Sequence, residues 1–168
     1  MNPKNSPIVV TDSASQLVQK DVLPLGIEVV PLEIYINGKE YLDGLEITPD
    51  ELYKRMRAEN PEVKTSAPAV GRFYYVFKKL IDQGRNEILC ITISNKLSAT
   101  YNAALDAANM IHTEFSEKKV IVFDSLTAAV AQGFLALEAA NQLTMGEPLD
   151  NVVRFLTLGR ERTGLIAA

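Results

Sequence analysis

Glu87-Ile88-Leu89-Cys90-Ile91-Thr92-Ile93-Ser94-Asn95-Lys96-Leu97-Ser98-Ala99-Thr100-Tyr101-Asn102-Ala103-Ala104 divides into two halves of different character. The first half is a short apolar run rich in Ile, the pattern of a strand buried on both faces of a parallel sheet. The second half, from Ser98 to His112, has Tyr101, Leu105, Ala108 and Met110-Ile111 at helical spacing and contains neither Gly nor Pro. That spacing predicts a helix. Ser94, Asn95, Lys96, Ser98 and Thr100 lie between the two. In an open α/β sheet a turn of this kind sits at the carboxyl end of the strand, where ligands bind. The start of the helix adds unpaired N–H groups and about half a positive charge. Hydroxyls in that position either cap the helix or hold an anion. Capping alone accounts for this one cluster.

The 168 residues make one large domain, and 47% apolar with 23% charged residues is the composition of a globular protein with ample core. A net charge of −4, with no Lys/Arg stripe, argues against nucleic acid as a partner. The absence of Trp leaves little for base stacking. No apolar run approaches the roughly 18 residues of a membrane span. The first seven residues lack the apolar core of a signal peptide, so a cytoplasmic location is expected. One Cys and one His cannot form a disulfide framework or a Cys/His zinc site within the chain. Neither a metal nor a cofactor is expected. Cys90 reads as an inert core thiol, and His112 as a solvated residue favoured by the helix dipole.

Outward from the central stretch, Pro7 to Thr11 reads as a β-branched strand. Asp12-Ser13-Ala14-Ser15 and a short helical stretch to about Asp21 follow it. Val120 to Phe123, Asp124-Ser125 and a helix of about Thr127 to Leu143 repeat this grammar. Each Asp-Ser pair is suited to cap its helix or to face a ligand. Between these segments, about 29–44 reads as an inserted β-hairpin, because Asn37-Gly38 between alternating β-formers is a strong hairpin signal. Thr48-Pro49-Asp50-Glu51 then opens a helix to about Ala58, with Thr48 as N-cap and Glu51 at the reciprocal capping position. Asn60 to Pro68 reads as an extended polar segment that delivers Thr65 and Ser66 to the start of a helix over Ala69–Gln83. A plain linker with a capping hydroxyl is the simpler account of it. Leu149 to Leu158 reads as an amphipathic helix, and Thr163 to Ala168 as the beginning of a strand. The fold expected is a three-layer α/β/α domain with a mainly parallel sheet.

Six pieces, in this order along nearly the whole chain, resemble the DegV family. They are Thr11-Asp12-Ser13, Pro31-Leu32 ahead of the hairpin, and Asp43-Gly44 with the Thr48-Pro49-Asp50-Glu51-Leu52-Tyr53 helix start. Lys64-Thr65-Ser66-Ala67-Pro68, Ile93-Ser94-Asn95-Lys96-Leu97-Ser98-Ala99-Thr100-Tyr101 and Phe123-Asp124-Ser125 complete the set. The sequence departs from the family in two ways: Ala99 stands where Gly is usual, and family members are considerably longer. The resemblance therefore implies a DegV-like N-terminal domain over residues 1–168, without the family's usual second lipid-binding domain.

It further implies a non-catalytic carrier that binds a long-chain fatty acid. Thr65 and Ser98 would be the carboxylate contacts, with Ser66, Ser94 and Thr100 in support. The carrier would present its ligand to a fatty acid kinase for phospholipid synthesis. The chemistry is consistent with this. Hydrogen bonds to a charged group contribute roughly 1.5–3 kcal/mol each, and an acyl chain about 0.8 kcal/mol per buried CH₂, so the tail supplies affinity and the hydroxyls orientation. If the second domain is absent, the fragment alone is expected to bind weakly or not at all, and an exposed apolar interface would favour self-association.

Two other classes compete with the carrier. An acyl hydrolase lacks a Gly-x-Ser-x-Gly elbow, and its only His would lie about 20 Å along the helix from Ser98. A phosphotransferase-related enzyme domain rests on fold analogy, without a Gly-x-x-x-x-Gly-Lys phosphate loop. An interaction module that docks a kinase or a second copy is the remaining alternative.

Overall fold

The computed structural model describes residues 6–161, so the strand expected over 163–168 lies outside the described residues. Four parallel strands form the main sheet in the order β2-β1-β6-β7: β1 (Ile8–Asp12), β2 (Glu28–Val30), β6 (Glu87–Thr92) and β7 (Lys119–Asp124). Register pairs Val10 with Cys90 and Ile91 with Phe123. A 3₁₀ turn (Ser13–Ser15), the short α1 (Gln19–Val22) and a second 3₁₀ turn (Leu23–Leu25) link β1 to β2.

The pleat sends alternate side chains to opposite faces, and both faces are covered. Val10, Ile88 and Cys90 pack with Phe73, Phe77 and Leu80 of α3 (Val70–Asp82) and Ala104, Ala107 and Ile111 of α4 (Thr100–Glu114). Val9, Leu89, Ile91 and Phe123 pack with Ala136 and Ala139 of α5 (Ala129–Thr144) and Val152 and Leu156 of α6 (Leu149–Arg160). This is the three-layer arrangement expected from the unbroken apolar runs. The small residues of α5 allow close approach. A Cβ at Gly133 would lie 2.5 Å from the backbone oxygen of Ser15.

A second, antiparallel sheet has the order β4-β3-β5, with β3 (Glu33–Ile36), β4 (Lys39–Leu42) and β5 (Val63–Ser66). It packs on α2 (Pro49–Glu59) through its own small core of Ile34, Ile36 and Ile47. Asn37 and Gly38 turn the hairpin with φ of 50° and 79°, as a type I′ turn requires. Thr48 caps α2 by accepting the Glu51 N–H. The Glu51 carboxylate pairs with Arg55 instead of returning to the cap.

The structure corrects the sequence reading in two places and extends it in a third. The inserted ribbon does not begin near residue 29, because Val29 and Val30 belong to β2 and pair with β1 in the main sheet. Pro31 lacks an N–H to continue that ladder, and the chain crosses to β3 where the Leu32 N–H donates to Ser13 Oγ at 3.0 Å. The polar segment before α3 is not a plain linker, since Val63–Ser66 forms an edge strand whose backbone pairs with β3. His112 is exposed in the last turn of α4, as expected, and its Nε2 also accepts the Val120 N–H at 3.2 Å, tying the end of α4 to β7.

Candidate ligand site at the carboxyl end of the main sheet

The loop between β6 and α4 carries Ser94, Ser98 and Thr100, and its backbone is held on all sides. Ile93 N–H donates to Asp12 Oδ2 at 2.8 Å, Ser94 N–H to the Thr127 carbonyl at 2.8 Å, and Asn95 N–H to Asp124 Oδ1 at 3.3 Å. Lys96 N–H then donates to Ser94 Oγ, while Leu97 and Ser98 N–H both reach the Ser94 carbonyl. Ser94 is buried and acts as the post around which the loop turns.

Ser98 is half-buried and precedes the helix instead of opening it, because α4 begins at Thr100 with Ala99 at the N-cap. Its Oγ accepts the Thr100 N–H at 3.3 Å and lies 2.8 Å from Thr100 Oγ1. Thr100 is fully buried, and Ser98 is the only partner of its hydroxyl among the described residues. A buried donor must find an acceptor, so the consistent assignment has Thr100 Oγ1–H donating to Ser98. The proton of Ser98 then points to an outside acceptor. Polarised by two donors and set at a helix start, that hydroxyl is suited to a carboxylate. Ala99 at the usual Gly position has αR backbone, with φ of −72°, and imposes no strain.

Thr65 and Ser66 are placed differently from the expectation of a second helix start. Both are exposed on β5, four residues or more ahead of Val70, and α3 has Ala69 as its N-cap without a side-chain cap. Thr65 pairs with Ile34 and Ser66 with Glu33, so alternation turns them to opposite faces of the small sheet. Ser66 Oγ donates to its neighbour's carbonyl, that of Ala67. The structure thus gathers Ser94, Ser98 and Thr100 into one loop. No hydrogen bond joins them to Thr65 or Ser66 among the described residues.

Gln132 is a component that the sequence reading passed over, and Asp12 does more than the capping expected of it. Asp12 caps the turn after β1 through the Ala14 N–H at 3.0 Å, as expected, but it is fully buried and also reaches Ile93. Burial pushes its pKa up, against the opposing effect of hydrogen bonds from Ile93, Gln132 and Ala14. Gln132 Nε2 donates to Thr11 Oγ1, which donates to the Ile91 carbonyl. A lone Gln on the fully buried side of an Ala-rich helix was the signal available for it. Burial, and secondarily the charge of Asp12, raise the Cys90 thiol well above its ordinary value. No group of three His, Cys, Asp or Glu side chains converges as metal ligands among the described residues. No helix of theirs is long and apolar enough to cross a membrane.

The fold and this loop define an α/β domain whose polar turns gather at the carboxyl end of a parallel sheet. The chain belongs to the DegV family, whose model, described as uncharacterised protein of that family, matches residues 8–168. A DegV domain-containing protein of Listeria monocytogenes is 33% identical over 148 residues, covering 88% of this chain and 51% of the relative. Among solved structures, a stearic acid-binding protein from Eubacterium ventriosum superposes with a TM-score of 0.83 at 30% identity, covering 89% of this chain and 51% of its own. A DegV family protein from Thermus thermophilus, a structure of fatty acid binding, superposes with a TM-score of 0.82 at 32% identity, covering 93% and 54%. The chain thus spans about half the length of the relatives it matches.

Proposed function

We propose that this chain is part of a carrier that binds a long-chain fatty acid and presents it to a fatty acid kinase for phospholipid synthesis, without itself catalysing a reaction. The observation that carries the reading is the Ser98 hydroxyl, which accepts the Thr100 N–H and lies 2.8 Å from the buried Thr100 Oγ1, so that with Thr100 as donor its own proton is left to give. The fatty acids bound by the Eubacterium and Thermus proteins supply the ligand class. Ser98 contacts the carboxylate, Thr100 and Ser94 hold Ser98 in place, and Thr65, with Ser66 beside it, approaches from the small sheet as the second contact. Because the loop's N–H groups from Ile93 to Ser98 are already engaged, the donors left to a ligand here are hydroxyls.

The test is native mass spectrometry followed by lipid extraction, on wild type and on Thr65→Ala/Ser98→Ala. Retention of a long-chain acid by wild type and its loss from the double variant is the expected result. Equal retention by both overturns the contacts. Absence from both, repeated on a chain of the relatives' full length, overturns the ligand class.

A further inference from the structure

The two Asp-Ser pairs are built alike. Each aspartate ends a strand, accepts the N–H two residues on, and also accepts a backbone N–H from the β6–α4 loop. Asp12 takes Ala14 and Ile93, and Asp124 takes Leu126 and Asn95. Between these grips the Ser94 N–H is taken by Thr127, from the loop that Asp124 begins. Below them, Thr11 holds the Ile91 carbonyl, and the Ser125 N–H holds that of Thr92. Five consecutive residues of the central chain, Ile91 to Asn95, are therefore each bonded to β1 or to β7 and the turn that follows it, Ile91 and Ile93 to the first and Thr92, Ser94 and Asn95 to the second. Ser98 has no such tie of its own. Its backbone N–H goes to the Ser94 carbonyl, so its position is inherited from the clamped residues.

We infer that Asp12 and Asp124, by gripping the backbone of Ile93 and Asn95 from opposite sides, are positioning residues that set the Ser98 hydroxyl for its ligand. Two acids near a carboxylate site would ordinarily repel the ligand. Here Asp12 is fully buried with a backbone donor on each oxygen, and Asp124 is partly buried with two backbone donors on Oδ1. At position 12 only a carboxylate accepts in this way, because Ala14 and Ile93 reach different oxygens and an asparagine would turn an amide donor toward one of them. At position 124 a single oxygen, Oδ1, accepts from both Asn95 and Leu126. The inference rests on Ser98 being the ligand contact.

The test uses the 168-residue chain with Asp12→Asn, Asp124→Ala and Ser98→Ala, alanine standing at 124 because an asparagine would keep an oxygen for both N–H groups. Amide hydrogen exchange resolved by residue needs no ligand and reads the clamp directly. Each Asp variant is expected to speed exchange at Ile93, Asn95 and Ser98 at least about tenfold while the amides of α3 keep their wild-type rates. Ser98→Ala should leave Ile93 and Asn95 unchanged. Unchanged exchange in both Asp variants overturns the inference, and so does an equal rise throughout the chain, which would make these residues general supports of the fold. Palmitate titration of the Asp124→Ala/Ser98→Ala cycle, in a chain of the relatives' full length, provides the second reading. Asp124→Ala is expected to weaken binding when Ser98 is present and to add nothing when Ser98 is already Ala. Independent, additive losses overturn the positioning role. If Ser98→Ala alone leaves palmitate affinity intact, the contact proposed for Ser98 fails, while the exchange result still decides whether the aspartates hold the loop.

Discussion

Asp12 ionises in surroundings that resist its charge. Its folded-state pKa lies above the ordinary 3.8 because burial outweighs the hydrogen bonds it accepts, so the folded chain takes up this proton more readily than the unfolded chain. The stability it contributes is fully present below about 3.8 and is lost as pH rises through the raised value. Asp12→Asn does not titrate. The stability of wild type minus that of the variant should therefore fall from about pH 4 upward, measured by urea unfolding at a series of pH values. A flat difference would show that Asp12 is not shifted. Cys90, its buried neighbour, should be inert to a thiol reagent such as DTNB in the native chain and react only as fast as the protein opens. Rapid reaction under native conditions would contradict the burial described.

Helix α5 is fitted to the turn after β1 at one point. A methyl group at Gly133 would meet the Ser15 carbonyl at 2.5 Å, and backbone on both sides leaves little room to give. Gly133→Ala improves helix propensity by about 1 kcal/mol, but overpacking of this kind costs about 1–3 kcal/mol. The expected net result is a lower urea midpoint, and an unchanged or higher one would mean that the turn yields. This contact was not legible in the sequence, where Gly133 is one small residue among many. The elements themselves were legible wherever one signal dominated. The apolar runs of β1, β6 and β7 marked buried parallel strands, Asn37-Gly38 marked the hairpin, and Thr48-Pro49 marked the start of α2. The reading failed where partners distant in sequence decide the outcome. Val63–Ser66 is polar and flanked by prolines, and it is a strand only because β3 offers an open edge. Val29-Val30 pairs with β1 and not with the hairpin it adjoins. At the site, the hydroxyls were legible as residues that cap or bind, whereas the grip of Asp12 on Ile93, 81 positions away, has no local signature.

The whole molecule comprises two bodies of unequal strength. The main sheet has large cores on both faces, while the small sheet and α2 share a core of three fully buried residues, and α2 has none of its own. Local opening should therefore be easier in the small sheet. Amides of β3–β5 are expected to exchange faster than those of β1 and β6, and equal protection would show a single cooperative unit. The two bodies also carry the two proposed carboxylate contacts, Thr65 and Ser98. Cavities of about 340 Å³ along α3 and 160 Å³ beside Pro7, Leu25 and Leu143 include no residue of the β6–α4 loop. Leu97, beside Ser98, is exposed, and an acyl tail lying there stays largely in contact with water, so palmitate affinity of this chain alone is expected to be weak. Tight binding in a calorimetric titration would show that its surface suffices.

The hairpin turn sets a further property, the chemical ageing of the protein. Glycine at position 38 offers no side chain to hinder attack of its backbone nitrogen on the Asn37 amide, the reaction that deamidates asparagine and yields isoaspartate. In the intact small sheet Asn37 is held at both its own N–H and its side-chain oxygen by the backbone of Glu62, each at 2.9 Å. Deamidation must therefore wait for the turn to open, and its rate becomes a slow record of how often the small sheet comes apart. The isoaspartate product lengthens the backbone by one carbon where a tight two-residue turn allows none. Each conversion would thus leave a hairpin less able to close, and stored protein would lose the strand pairing that carries Thr65 before it loses its main core.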